Sequence, residues 1–287
     1  MSGLELMPAP AILATAGWTA DRNPHALAAV PVLAGYLAGI AGTVPRQIGD
    51  GGMVVPAAGL SATLAACAPA FAAAREALAG LLDQGDRPLV VANRCAAAIG
   101  YLPAVFARHP DACLLWLDAH GDLNTPGTSA SGYIGGMVLT ALAGQWRSGQ
   151  GAGLAFDRLV LAGARDLDPA EAALIDTAGI TTVPAGADGG LDPAGAIAAI
   201  AGRPLWVHVD LDVHAPGVVS TEYSVAGGPR QTRPRRFWPP CWRPRRWSVP
   251  ISPSWNTGRT GSPVIWRRWR SWRRPCWPRS PIRDLVI

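Results

Sequence analysis

Short, continuous apolar runs alternate with longer Ala-rich segments over residues 1–228. Unbroken apolar runs are typical of parallel strands covered on both faces, and the segments between them have the length of helices. The predicted strands are Ala11 to Thr15, Pro88 to Val91, Ala112 to Leu117, Arg158 to Leu161, Ile180 to Val183 and Pro204 to Val209. The predicted helices are Pro24 to Ala41, Ser61 to Leu82, Arg94 to Arg108, Ile134 to Ala143, Pro169 to Thr177 and Pro193 to Ala201. This alternation predicts a doubly wound α/β domain with a single, mostly parallel sheet and its chemistry at the carboxyl ends of the strands.

The pattern stops at Gly228. Residues 229–287 are rich in Trp, Arg and Pro, and neither a strand period nor a helical stripe persists between the prolines. Residues 1–228 hold 10 Arg and 19 acidic residues, whereas residues 229–287 hold 15 Arg and one acidic residue, Asp284. The formal net charge of +5 therefore averages an acidic α/β domain, residues 1–228, and a basic tail, residues 229–287.

The apolar segments do not indicate a membrane protein. Residues 26–45 and 51–74 are uncharged and long enough to span a bilayer, but their many Ala, Gly and Pro residues lower the hydrophobicity of both segments. The N-terminal residues carry Glu5 and no basic residue before Arg22, which does not fit a signal peptide. The five cysteines are scattered and odd in number, as in a reducing compartment, so we expect a cytoplasmic protein without a membrane partner.

A cluster of charged side chains follows the third predicted strand. Asp118, His120 and Asp122 come directly after the apolar run that ends at Leu117. Side chains two residues apart at a strand end point the same way, so these three side chains converge. Two carboxylates and an imidazole are a ligand set for a divalent first-row metal.

A second acidic pair, Asp210 and Asp212, follows the apolar run that ends at Val209. Carboxylates beside a buried strand are costly without cations, and the first cluster does not supply enough of them. Four carboxylates at one edge of the sheet suit two metal ions that share bridging ligands.

Both motifs resemble those of the ureohydrolases, the family of arginase, agmatinase and their relatives, and the resemblance covers roughly residues 88–228. It implies an arginase-like three-layer α/β/α fold and two Mn²⁺ ions. By this resemblance Asp118 and Asp210 are bridging ligands, and His120, Asp122 and Asp212 are terminal ones. The family continues beyond Gly228 with further helices and strands, so the domain is incomplete at its C-terminal end.

Cys95 stands where the family normally has the His of a Gly-Gly-Asp-His segment at the end of an earlier strand. A thiolate can bind Mn²⁺ but is a soft ligand for it, and the neighbouring Arg94 adds a positive charge. A Cys at this position resembles the subgroup of arginase-like proteins that includes hydroxyarginine hydrolase. Cys95 is therefore either a sixth metal ligand or a buried apolar Cys at a helix start.

The loop after the first motif resembles the arginase version. In that version Asn124 and Ser131 would hold an α-carboxylate, and Asp168 in the next loop would contact the α-ammonium group. As an alternative, Asp168 belongs to a helix N-cap without further function. The family often has a proton-shuttling His where this chain has Gly135, so the resemblance leaves Asp122 as the catalytic acid.

The implied function is metal-dependent hydrolysis of arginine or N-hydroxyarginine to urea or hydroxyurea plus ornithine, in a homo-oligomer that is a trimer or hexamer. The alternatives are an agmatinase or formiminoglutamase-like hydrolase, and an inactive arginase-like chain whose cationic tail binds nucleic acid. Arg with interleaved aromatic rings can grip phosphates and stack on bases. We nevertheless expect a small guanidino substrate and no nucleic-acid partner.

The composition of the tail favours a shifted reading frame over a disordered native segment. All 25 basic residues of the chain are Arg, which indicates GC-rich coding DNA. In such DNA the Ala-Leu codons GCG-CTG, read one nucleotide late, give CGC-TGG, which encodes Arg-Trp. We expect the neighbouring frame across codons 225–235 to continue into arginase-like helices with a substrate-side Glu. Sequencing the coding DNA checks this, and a neighbouring frame without such a segment contradicts it.

Overall fold

The computed structural model describes residues 9–56, 58–186 and 189–230. The Trp- and Arg-rich tail predicted for residues 229–287 lies outside them, apart from its first two residues, so the boundary at Gly228 stays a prediction. The strands are β1 (Ala11–Thr15), β2 (Arg46–Ile48), β3 (Pro88–Ala92), β4 (Cys113–Leu117), β5 (Leu159–Ala162), β6 (Thr181–Val183) and β7 (Leu205–Val209). The α-helices are α1 (His25–Ala41), α2 (Leu60–Asp83), α3 (Ala97–Arg108), α4 (Val138–Leu142), α5 (Pro169–Ala178) and α6 (Pro193–Ile200).

All six predicted strands and all six predicted helices are present, most within one or two residues of the predicted bounds. The helix predicted from Arg94 begins only at Ala97, and the segment predicted from Ile134 is a 3₁₀ turn, Ile134–Met137, followed by the short α4. The sequence missed β2 because its three residues are largely exposed and two of them are polar, which gives no apolar run.

Every described strand pair is parallel, as predicted for a doubly wound fold. The hydrogen-bonded order is β2-β1-β3 in one set and β6-β5-β4-β7 in the other. Among the described residues, the strands expected in a single sheet thus form two hydrogen-bonded sets of strands, one of three and one of four. Their facing edges, β3 and β7, share no ladder and meet through side chains at their carboxyl ends, where Cys95 Sγ lies 3.0 Å from Asp210 Oδ2.

Helices cover both faces of the strands, which gives the three-layer arrangement. Alternate residues of one strand enter different cores: Leu114 and Trp116 of β4 pack with α2, α3 and α4, whereas Leu115 and Leu117 pack towards α6. On the first set, α1 packs against the opposite face from α2. Because both faces are buried, the strands carry the unbroken apolar runs that the sequence shows.

Helix α2 is the one described helix long and apolar enough to cross a membrane by length and composition. In the structure Cys67, Phe71 and Leu78 of this helix are fully buried in the core against α3. A core helix meets the same criterion, so the apolar length of α2 does not itself indicate a membrane span.

The packing of α2 on α3 depends on Gly100. A Cβ added at Gly100 would lie 2.7 Å from Cα and 2.8 Å from Cβ of Phe71, so the two helices would have to separate. We expect Gly100→Ala to lower the free energy of unfolding by about 1–3 kcal/mol, the usual cost of overpacking a core. Urea unfolding measures this change.

The matched control is Gly80→Ala within α2, where an added Cβ has no heavy atom within 4 Å. There the higher helix propensity of Ala should raise the free energy of unfolding by roughly 0.5–1 kcal/mol. Equal effects at the two positions would contradict the close helix packing.

Candidate metal and substrate site

The predicted charged motifs meet in one cavity of about 800 Å³ at the carboxyl ends of the strands. The loops after β3, β4 and β7 supply its floor, and the loop after β5 and the segment after β7 supply its sides. All nine predicted site residues line this cavity: Cys95, Asp118, His120, Asp122, Asn124, Ser131, Asp168, Asp210 and Asp212.

Three of the predicted ligands form a close oxygen and nitrogen cluster. His120 Nδ1 lies 3.3 Å from Asp118 Oδ1 and 3.1 Å from Asp212 Oδ2. Backbone amides fix the carboxylates, since His120 N donates to Asp118 Oδ1 at 2.8 Å and Ala119 N donates to Asp212 Oδ1 at 3.1 Å. One ligand atom from each of the three side chains lies within 4.8 Å of the others, close enough to surround one ion.

A second cluster forms around Cys95, whose thiol lies between the two sets of strands. Its Sγ donates to Asp210 Oδ2 at 3.0 Å and lies 3.7 Å from Asp118 Oδ2 and 3.3 Å from His208 Nε2. Cys95, Asp118 and His208 also bring their ligand atoms within 4.8 Å of one another. Asp118 therefore belongs to both clusters.

His208 is a site residue that the sequence motifs do not identify, because it lies within the apolar run of β7. It is buried on β7, stacks on Trp116 at 3.5 Å between ring centroids, and presents Nε2 to Cys95. The alternation of side chains along a strand could have found it, because His208 and Asp210 are two residues apart.

Asp122 lies in an unusual conformation at the cavity floor. Its φ of 51° is in the left-handed region, which costs a non-Gly residue free energy and persists only where the surroundings impose it. Its Oδ2 is buried without a hydrogen-bond partner among the described residues. An unpaired buried carboxylate oxygen is costly unless a cation or a ligand meets it.

The electrostatics of the floor also indicate a need for cations. Burial raises the pKa values of Asp118, Asp122 and Asp210, and the neighbouring carboxylates raise them further. Hydrogen bonds that His120 donates to Asp118 and Asp212 raise the pKa of His120 to about 11, so the imidazole is one positive charge among four carboxylates. The donor set of carboxylates, imidazoles and a thiol therefore fits divalent metal ions.

The side chains expected to bind the substrate are partly engaged with each other. Asn124 Nδ2 donates to Asp168 Oδ2 at 2.8 Å, and Asn124 Oδ1 accepts from Thr128 at 2.9 Å. Asp168 precedes α5, and Glu171 of this helix accepts from the amides of Asp168 and Leu123. Asp168 thus has the N-cap position of the alternative interpretation and also faces the cavity, and Ser131 is exposed on the cavity rim.

The positive charge of Arg94 is directed away from the metal ligands. Its guanidinium group pairs with the buried Asp21 at 3.2 Å and with Glu222, whose carboxylate also accepts from Asn23. Glu222 and Tyr223 line the cavity, and the ring centroids of His120 and Tyr223 lie 6.4 Å apart in an edge-to-face arrangement. The Arg94–Glu222 pair therefore fastens the segment after β7 above the site.

Tyr133 fills the space next to Gly135. A Cβ added at Gly135 would lie 2.3 Å from Cε1 of the Tyr133 ring, so a side chain cannot be placed there without moving the tyrosine. A His at position 135 would therefore require Tyr133 to move and the loop to repack.

These features define a class: a parallel α/β protein with a buried acidic cluster suited to divalent metals at its strand ends. A model of the arginase family matches residues 45–233. The chain belongs to the arginase family, whose members are hydrolases of guanidino C–N bonds and depend on a binuclear metal centre.

Relatives with curated names agree with this assignment. N(omega)-hydroxy-L-arginine amidinohydrolase of Streptomyces lavendulae is 42% identical over 166 residues, which are 56% of this chain and 59% of that protein. The arginase of Bacillus caldovelox is 38% identical over 121 residues, which are 39% of this chain and 40% of that protein. The chain thus spans less than two thirds of the length of either relative.

Solved structures show the same fold. The crystal structure of Bacillus caldovelox arginase superposes with a TM-score of 0.63 at 26% identity, over 78% of this chain and 82% of that one. The structure of Bacillus subtilis arginase gives a TM-score of 0.60 at 21% identity, over 77% and 81%. The predicted arginase-like fold is confirmed.

Proposed function

We propose that this protein is a metal-dependent amidinohydrolase that releases urea or hydroxyurea from arginine or N-hydroxyarginine and leaves ornithine. The observation that carries the proposal is the pair of overlapping ligand clusters, Asp118–His120–Asp212 and Cys95–Asp118–His208, at the floor of one cavity. Membership of the arginase family supports the reaction class, and the resemblance to the hydroxyarginine amidinohydrolase supports the substrate class.

Two Mn²⁺ ions are the proposed cofactors. Asp118 and Asp210 would bridge them, because Asp118 belongs to both clusters and Asp210 Oδ2 lies 3.0 Å from Cys95. His120, Asp122 and Asp212 would be the terminal ligands, together with Cys95. When bound, the ions supply Lewis acidity that makes water nucleophilic at neutral pH.

The side chains have separate tasks in the reaction. The carboxylate floor attracts the planar guanidinium group and orients its carbon. Asp122, with its unpaired Oδ2, holds a proton and passes it to the leaving amine. Glu222 and Tyr223 line the same cavity on its solvent-exposed side. The homo-oligomer, the cytoplasmic location and the absence of a nucleic-acid partner remain predictions.

We expect the chain loaded with Mn²⁺ to release urea from arginine or hydroxyurea from N-hydroxyarginine, and a chelator to abolish the release. Asp122→Asn should lower kcat by about a hundredfold or more, because the proton carrier is lost. Asp111→Asn, an exposed change in the turn before β4, is the control and should leave kcat unaltered. No product from either compound refutes the proposal, and product from agmatine alone supports the agmatinase alternative.

Metal titration separates the two interpretations of Cys95. If Cys95 is a ligand, Cys95→Ala should weaken the binding of one of two Mn²⁺ equivalents by at least about tenfold. Cys113→Ala is the matched control, since this free thiol is buried in β4. Calorimetric titration with Mn²⁺ measures both variants. Identical isotherms for them would mean that Cys95 is only a buried apolar residue.

A further inference from the structure

Two arginines line the cavity, and only one of them is neutralised within the protein. Arg94 pairs with Asp21 and Glu222. Arg22 is exposed at the mouth, and its guanidinium carbon lies 5.0 Å from the centroid of the Tyr133 ring. Among the residues that the structure describes, no carboxylate or carbonyl oxygen accepts a hydrogen bond from its guanidinium group.

The stacking on Tyr133 holds this cation beside the loop that carries the hydroxyl groups of Ser129 and Ser131. Ser129 and Ser131 lie 3.5 Å apart between their Oγ atoms, and the amide of Tyr133 donates to Ser131 Oγ at 3.2 Å. Both serines line the cavity. A guanidinium group and neighbouring hydroxyl groups are together a good donor set for a carboxylate.

Apart from the proposed metal ions, most of the cavity would repel a carboxylate. Its floor carries the acidic ligand cluster, and Asp166 and Asp168 lie on its side. Asn124, which the sequence resemblance assigns to a carboxylate, uses its side-chain oxygen for Thr128 and one amide hydrogen for Asp168. The unpaired cation at Arg22 therefore favours a negative group at the mouth of the cavity.

We infer that Arg22 is a specificity-determining residue that binds the α-carboxylate of the guanidino amino acid at the mouth of the cavity. This inference rests on the proposed function. Arg22 would orient the substrate along the cavity. The α-carboxylate would contact Arg22 and Ser131, the α-ammonium group would lie towards Asp168, and the guanidinium group would reach the acidic floor. Compounds without the carboxylate gain nothing from Arg22.

Binding of two unreactive diamines tests the inference in the full chain with Mn²⁺. L-ornithine carries the α-carboxylate, and putrescine is the same diamine without it. In Arg22→Met the Kd of L-ornithine should rise about tenfold while that of putrescine changes less than twofold, because one charge-assisted contact is lost. Arg22→Lys should recover part of the affinity for L-ornithine, since it keeps the charge without the fork of donors.

Arg147→Met is the matched control, because Arg147 is exposed and does not line the cavity. Equal losses for L-ornithine and putrescine in Arg22→Met, or no loss for either, would overturn the role of Arg22 and leave the proposed hydrolase intact. An unmodified chain that binds neither L-ornithine nor arginine would overturn the hydrolase proposal and the role of Arg22 together.

Discussion

The concentration of negative charge at the carboxyl ends of β4 and β7 is the constraint on which the rest of the site depends. Asp118, Asp122, Asp210 and Asp212 face one cavity floor, and the first three have raised pKa values because burial and mutual repulsion disfavour their ionised forms. His120 supplies one compensating charge. Carboxylates gathered in this way are stable when cations join them, which is why the arrangement suits a metal centre rather than a structural ion-pair network.

The arginines near the site support its frame instead of neutralising this floor. Arg165 donates to the backbone carbonyl oxygens of Gly163, Asp212, Val213, His214, Val225 and Ala226. A planar guanidinium group can satisfy several carbonyls in fixed directions, which a lysine cannot do. Arg165 therefore ties residues 212–214 to residues 225–226 of the segment after β7, and Arg94 holds Glu222 between these two stretches.

The elements of the fold could be predicted because helices and strands bury continuous apolar sequence, and the two acidic motifs stand out at strand ends. Tertiary contacts were harder to predict. His208 was missed because its role depends on Cys95 from a distant loop, 113 positions away. The charge of Arg94 looked available to the site, but Asp21 and Glu222 neutralise it. Spacing along the chain does not reveal which partner a long side chain reaches.

The site and the fold are linked through Cys95 and Asp210. Cys95 follows β3 in one set of strands, and Asp210 follows β7 in the other, so their contact joins two sets that share no ladder among the described residues. Without a cation this contact joins a protonated thiol to a carboxylate in an acidic setting. A metal ion held by both side chains would replace it with two strong bonds, and its binding free energy would add to that of folding. Occupation of the proposed site would then stabilise the junction between the two sets of strands as well as activate water for the reaction.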